Sequence, residues 1–169
     1  MIVAETDRLV LRRLTVEDAP FILELLNDPD WLRFIGDKGV RTLEDAQNYI
    51  LTGPIESYAR RGFGLFLVER KADATSIGLC GLLKRDVLED VDVGYAFLPG
   101  YRGKGYAVEA AAAALRFGKE TVGLTRVAAI TNPGNARSIR VLEKLGLAFE
   151  KMVRLSEEAP EISFFARSL

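Results

Sequence analysis

The segment Val91–Ala114, VDVGYAFLPGYRGKGYAVEAAAAA, decides how this chain is read. Val91–Leu98 sets β-branched and aromatic residues on an alternating pattern and predicts a strand. Pro99-Gly100 breaks it, Arg102-Gly103-Lys104-Gly105 follows, and from Tyr106 the composition turns helical, with five alanines at Ala110–Ala114. A strand, a Gly-rich cationic turn and a helix in that order leave unpaired N–H groups and the positive end of the helix dipole at the turn. Gly103 and Gly105 carry no Cβ to hold a ligand away, and two cations flank them, so a pyrophosphate is the natural ligand. A Walker A loop needs Lys-Ser/Thr after its last glycine, but Tyr106-Ala107 follows Gly105 here. A Rossmann fingerprint needs a third glycine where Val108 stands. Both patterns fail.

Composition narrows the chemistry further. The 169 residues predict one domain spanning 1–169, large enough to bury a core. A net charge of −1 implies no general polyanion-binding surface, so no nucleic-acid partner is expected. No apolar run approaches the roughly 20 residues that span a bilayer, and the N-terminal segment lacks a secretory pattern, so a cytoplasmic location without a membrane partner is expected. The one cysteine, Cys80, lies in the apolar run Ile77–Leu83 and reads as an inert buried thiol. There is no histidine at all. That removes Ser-His-Asp and Cys-His catalysis and imidazole metal sites, and no metal is expected. Proton transfer is left to carboxylates, tyrosine, serine, lysine, the thiol or water.

Outward from the opening segment, periodicity predicts a mixed sheet with helices. Arg8–Leu14 alternates as a first strand. Thr15 with Asp18 three residues on caps a helix carrying Phe21, Ile22, Leu25 and Leu26, which Asn27-Asp28-Pro29 ends. Trp31–Gly39 reads as irregular. Thr42 and Asp45 open a second helical region, which Gly53-Pro54 interrupts, giving two short helices or one kinked one. Gly64–Arg70 and Ser76–Lys84 form an antiparallel hairpin to which Val91–Leu98 adds. A helix over Gly105–Val122, a strand at Arg126–Thr131, a helix at Ala136–Leu145 closed by Gly146, and two last strands at Leu147–Leu155 and Ile162–Arg167 complete the chain.

Several of these residues together resemble one family. Arg102–Ala107 fits Arg-x-x-Gly-x-Ala, similar to the acetyl-CoA pyrophosphate loop of the GNAT N-acetyltransferases. Glu5–Arg12 (ETDRLVLR), Val93-Gly94-Tyr95, Gly103–Ala110 (GKGYAVEA) and Asn132–Ser138 (NPGNARS) leading to Val141–Gly146 (VLEKLG) resemble the branch typified by the ribosomal-protein N-terminal (RimJ/RimL-type) acetyltransferases, with Leu147 where that branch usually has Phe. The resemblance implies the GNAT fold: an α+β, mixed α/β three-layer α-β-α arrangement whose central sheet is mixed and mostly antiparallel.

It also implies direct acetyl transfer from acetyl-CoA, as co-substrate, to a primary amine of a small molecule or peptide in a ternary complex. Arg102, Gly103, Lys104, Gly105, Tyr106 and Ala107 would hold the pyrophosphate. Backbone N–H at Phe97 or Leu98 would hold pantetheine, lying between splayed strands, and an N–H near Tyr95–Ala96 would face the thioester oxygen. Gly94 is compatible with a bulge at the splay. Asp92 is the first candidate for the base, acting through water, or it merely ends a solvated strand edge. Asn135 would contact the cofactor and also caps its helix. Ser138 would contact the cofactor or protonate the leaving thiolate, with Tyr95 and Tyr101 as weaker acids. Glu109 reads as a structural carboxylate in the first helical turn. An acyl-CoA-binding module without turnover, or transfer of another acyl group, remains open, and a homodimer is compatible with the family.

Overall fold

A computed structural model describes residues Met1–Leu169. Eight strands form one sheet in the order β1-β2-β3-β4-β5-β6-β8-β7. They are β1 (Ile2–Glu5), β2 (Leu9–Arg12), β3 (Leu65–Arg70), β4 (Ser76–Leu83), β5 (Asp92–Phe97), β6 (Arg126–Thr131), β7 (Ala148–Val153) and β8 (Ile162–Ser168). Every neighbouring pair is antiparallel except β5 and β6, which run parallel and meet at one register position, Asp92 opposite Ala128. The helices are α1 (Ala19–Leu26), α2 (Pro29–Phe34), α3 (Leu43–Ile50), α4 (Glu56–Arg61), α5 (Tyr106–Phe117) and α6 (Ala136–Lys144).

Period-two alternation sorts the strand side chains into two cores. Phe66 and Val68 of β3, Cys80 and Leu82 of β4, and Val93 and Phe97 of β5 pack with the alanine face of α5 and with Leu142 of α6. Leu67 and Leu79 point the other way, against Ile22, Leu25 and Leu26 of α1, Trp31 of α2 and Ile50 of α3. The alanines Ala110, Ala111, Ala113 and Ala114 are all buried, and their small size lets α5 lie close to the sheet. Cys80 is fully buried there, and burial pushes its thiol above the ordinary range. The mixed sheet between helical layers is the architecture expected from the sequence.

Three elements depart from the sequence reading. The strand read as Arg8–Leu14 is shorter, because Arg13 and Leu14 leave the sheet toward Thr15. That residue caps a short 3-10 turn with Asp18, ahead of α1. An additional strand, β1, pairs on the outer side of β2. Trp31–Phe34 is helical rather than irregular. Asp28 accepts from the N–H groups of Asp30 and Trp31, and Pro29 stands at the first helical position, where its missing N–H costs nothing. At Gly53-Pro54, where the sequence leaves two short helices or one kinked helix open, the backbone runs on continuously: a π-helical turn, Leu51–Ile55, carries it from α3 into α4. The wider turn takes up the proline, which cannot donate to the preceding turn.

Candidate active site

The site begins with backbone parity on β5. The Leu98 N–H donates to the Ile77 carbonyl at 3.0 Å. Antiparallel bonds alternate along a strand, so residues 92, 94, 96 and 98 are paired with β4, while 91, 93, 95 and 97 turn their backbone toward β6. The Ala128 N–H donates to the Val91 carbonyl at 2.9 Å, and past this rung β5 and β6 have no further pairing. The strands diverge, and the N–H groups of Tyr95 and Phe97 face the opening. The Leu98 N–H is spent on β4, so of the two residues expected to reach pantetheine only Phe97 presents its donor to the gap. The β4–β5 register runs unbroken through Gly94, so that residue is not a bulge. Its missing Cβ would lie 3.3 Å from Leu83 Cδ1, and its absence keeps that face of β5 open.

The cationic turn stands at the wide end of the gap. Gly103 (φ +73°) and Gly105 (φ +83°) occupy the left-handed region, which lets the chain fold back before α5. No side chain caps α5, whereas Thr42 caps α3 and Asn135 caps α6. The first N–H groups of α5 are thus left for another acceptor. The turn is clamped from β1–β2. Arg8 donates from Nη1 to the Lys104 carbonyl at 3.0 Å and from Nε to Glu109 at 2.7 Å, and its guanidinium lies 4.4 Å from the centre of the Tyr106 ring. Thr6 also donates to Glu109. Glu109 is a structural anchor, and these hydrogen bonds hold its carboxyl below the usual range despite the opposing effect of partial burial.

Arg102, which lines the larger cavity, is also paired within the protein. Its guanidinium donates to Asp28 at 2.8 Å and to Asp30 at 2.6 Å, tying the turn to the start of α2. Lys104 is exposed and has no carboxylate partner, so it is the loop cation free to meet an anion. Ala107 and Asn135 line the same cavity as Phe97.

Tyr95 and Ser138 are brought together across the gap, with hydroxyl oxygens 2.8 Å apart. The Asn135 side chain accepts from the Ser138 N–H at 3.2 Å, which orients the first turn of α6. Burial pushes the Tyr95 phenol up to about 12, partly offset by the bond to Ser138, so it stays protonated and can donate. Tyr101 lies in the short turn before Arg102, its ring flanked by Arg70 and Lys104.

Asp92 sits at the narrow end. It is 1% exposed, so it does not end a solvated edge. Burial pushes its carboxyl up to about 6, against the pull of Arg85 and Lys84. Arg85 donates from Nε to Asp92 Oδ1 at 3.2 Å. Two contiguous cavities, about 200 and 140 Å³, meet around Trp31, Ile35, Tyr95, Ala96, Ile130 and Ser138. The larger reaches Arg102, Ala107 and Asn135; the smaller reaches Arg85 and Asp92. Sequence reading missed Arg85, Trp31 and the Asp28–Asp30 pair. Of these only Asp28 carried a local signal, in the Asp-Pro that caps α2.

No group of three or more His, Cys, Asp or Glu side chains is placed to hold a metal ion, and no helix is long and apolar enough to cross a membrane. Comparison with known proteins gives the family. The acetyltransferase (GNAT) domain model matches residues 8–148, and the chain belongs to that family. It is 33% identical over 155 residues to the uncharacterized protein YkkB of Bacillus subtilis strain 168, covering 88% of this chain and 87% of that one. A GNAT-family acetyltransferase from Bacillus anthracis superposes with a TM-score of 0.81 at 27% identity, over 99% of this chain and 98% of that one. RimL, a ribosomal L7/L12 alpha-N-protein acetyltransferase solved with coenzyme A, superposes at 0.86 over 100% and 98% of the two chains. At 16% identity, that likeness is one of fold. Family membership gives the chain acetyl-CoA-dependent chemistry in general.

Proposed function

We propose that the chain transfers an acetyl group from acetyl-CoA directly to a primary amine, with both substrates bound at once. The observation that carries this reading is the divergence of β5 and β6, which sets two free N–H donors between an anion-binding turn and a buried carboxylate. In this reading Gly103, Lys104, Gly105, Tyr106 and Ala107 bind the pyrophosphate. Arg102 holds the turn in place from Asp28 and Asp30. The Phe97 N–H bonds pantetheine and the Tyr95 N–H faces the thioester oxygen, where charge develops as the amine adds.

Asp92 takes the ammonium proton through water, because an amine without a lone pair cannot attack. A carboxyl with a pKa of about 6 is a stronger base than an ordinary one and is still ionised at neutral pH. The amine nitrogen bonds to the carbonyl carbon, the carbon–sulfur bond breaks, and the leaving thiolate receives a proton from the Tyr95–Ser138 pair; the second proton that the nitrogen sheds on becoming an amide restores that pair, and Asp92 returns its proton to water. Asn135 holds that pair from the α6 cap. N-terminal peptide amines, as acted on by RimL, belong among the acceptors to be tried, together with amino acids and small amines. A cytoplasmic, homodimeric enzyme is compatible with this chemistry.

Thiol release from acetyl-CoA across that acceptor panel tests the reading. Amine-dependent release is expected, with one product amide per thiol. Tight acetyl-CoA binding with no release for any amine would overturn it in favour of a binding module, and release only from a longer acyl-CoA would reassign the donor.

A further inference from the structure

The smaller cavity carries information about the acceptor that the family does not. Its walls are apolar: Trp31, Ile35, Leu65, Leu79, Leu83 and Ile130. The charged groups lining it are Arg85 and Asp92, held together at the floor. Asp92 uses only Oδ1 in that bond, and no other side chain donates to its carboxyl. Arg85 uses only Nε, so Nη1 and Nη2 have no protein partner, and the side chain is 37% exposed and lines the cavity. The Trp31 indole N–H, on a ring lining the same cavity, is buried with no hydrogen-bond partner at all. Buried donors without partners are rare in folded proteins and are costly to leave so.

The balance of charge is also informative. Lys84 adds a second cation near Asp92 and donates to the Leu88 and Arg85 carbonyls. Asp90 is occupied by Arg126, and the exposed Asp86 and Glu89 line neither cavity. Two cations around one carboxylate disfavour a polycationic amine. They favour an acceptor with an anion of its own, set one short covalent spacing from the amine. A guanidinium with both terminal nitrogens free matches a carboxylate in a two-bond fork.

The size of the cavity, about 140 Å³, suits a small aliphatic group and is well below the roughly 300–1,000 Å³ of pockets that enclose drug-sized ligands.

We infer that the acceptor is a free α-amino acid with an apolar side chain of about leucine size, its carboxylate held by Arg85 and its amine presented to Asp92. This rests on the acetyl-transfer reading above. The apolar side chain fills the Leu65, Leu79 and Leu83 wall. A peptide N-terminus lacks the carboxylate at that spacing and leaves the Arg85 fork unpaired.

The test compares L-leucine, L-leucinamide, 3-methylbutylamine and a Leu-initiated tripeptide as acceptors for the full-length protein with acetyl-CoA. L-Leucine is expected to exceed each of the others in kcat/KM by about tenfold or more, the scale of one charge-assisted pair. In Arg85→Gln the acid-over-amide ratio is expected to fall toward one. Any change in the basicity of Asp92 affects both acceptors and cancels in that ratio. Equal or better use of the amide, the amine or the tripeptide would overturn the assignment, as would an acid-over-amide ratio unchanged in Arg85→Gln. Titrating leucine and leucinamide calorimetrically into the CoA-saturated wild-type protein separates this inference from the one beneath it. Leucine binding more tightly without thiol release would uphold the carboxylate site while the transfer reading fails. Leucinamide binding as tightly would sink the carboxylate site whatever the turnover.

Discussion

The two faces of β5 are built from residues of different size, and they have different tasks. The odd-numbered face, Val93, Tyr95 and Phe97, is bulky and packs into the core beneath α5 and α6. The even-numbered face, Asp92, Gly94 and Ala96, is small and looks toward α2, where the cavities meet. One strand therefore anchors itself with one set of side chains and leaves reaction space with the other. The backbone divides by the same parity, even residues bonding to β4 and odd residues presenting N–H groups to the gap. Packing bulk and open space alternate residue by residue, with Tyr95 the odd-face residue that also lines both cavities, so substitutions one position apart should fail in different ways.

Asp92→Asn should break the even face most severely. Removal of a general base lowers kcat/KM by about 10²–10⁴-fold, measured by thiol release with saturating acetyl-CoA. The same change should stabilise the fold at neutral pH. The Asp92 carboxyl rises from 3.8 unfolded to about 6 folded, so the folded state binds the extra proton and stability falls as pH climbs from about 4 to 6. Above that window the buried charge costs on the order of 3 kcal/mol, at about 1.4 kcal/mol per pKa unit. The melting temperature of Asp92→Asn should exceed that of the parent at pH 7.5, and the difference should shrink toward pH 4. A difference that grew on acidification would contradict the burial account.

Gly94→Val tests the openness of the same face. A side chain there meets Leu83 and Leu65 and projects into the acceptor cavity. The acceptor KM should rise about tenfold or more, the scale of lost apolar contacts worth 1–3 kcal/mol, while acetyl-CoA affinity, followed by calorimetry, changes little. Parallel loss of both affinities would show that the even face does not act alone. On the odd face, Tyr95→Phe keeps the core packing but removes the hydroxyl shared with Ser138. A fall of about tenfold in kcat with both KM values nearly constant is expected for a group acting only as the thiolate leaves. The smallest effect should come from Arg102→Lys, which keeps the charge but loses the fork to Asp28 and Asp30. Both KM values should rise about two- to fivefold, or under 1 kcal/mol, because the turn and the α2 wall share that anchor.

How much of this was legible in the sequence follows from how local each cause is. The turn from Arg102 to Ala107, β5, α5 and the β3–β4 hairpin rest on short-range patterning and stand close to where the sequence predicts them, with β5 one residue shorter at each end and α5 giving way at Gly118 to a π-helical turn that runs to Val122. β1 escaped because four residues at an exposed edge show too little alternation to read. α2 escaped because Asn27-Asp28-Pro29, taken as the end of one helix, is also the beginning of the next. The partners of Arg102 were beyond reach, since Asp28 and Asp30 lie more than 70 positions earlier in the chain. Arg85 depended on pairing across the sheet: only with Leu83 opposite Asp92 does a residue in the loop after β4 arrive beside the carboxylate. The absence of histidine, by contrast, was visible at once and directed attention to Asp92, a carboxyl that the fold buries.

The single rung between Asp92 and Ala128 divides the sheet into two plates, β1–β5 and β6–β8–β7, joined along their length by almost no hydrogen bonding. α5 rests on β1, β2, β4 and β5 and touches the second plate chiefly through α6. The smaller plate can therefore fray without unzipping the larger one, and native-state amide exchange should resolve two zones of protection that do not share one opening free energy. The boundary between those zones runs through the narrow end of the gap. Asp92, proposed to take the ammonium proton, thus sits on the one rung of backbone pairing that joins the two halves of the sheet.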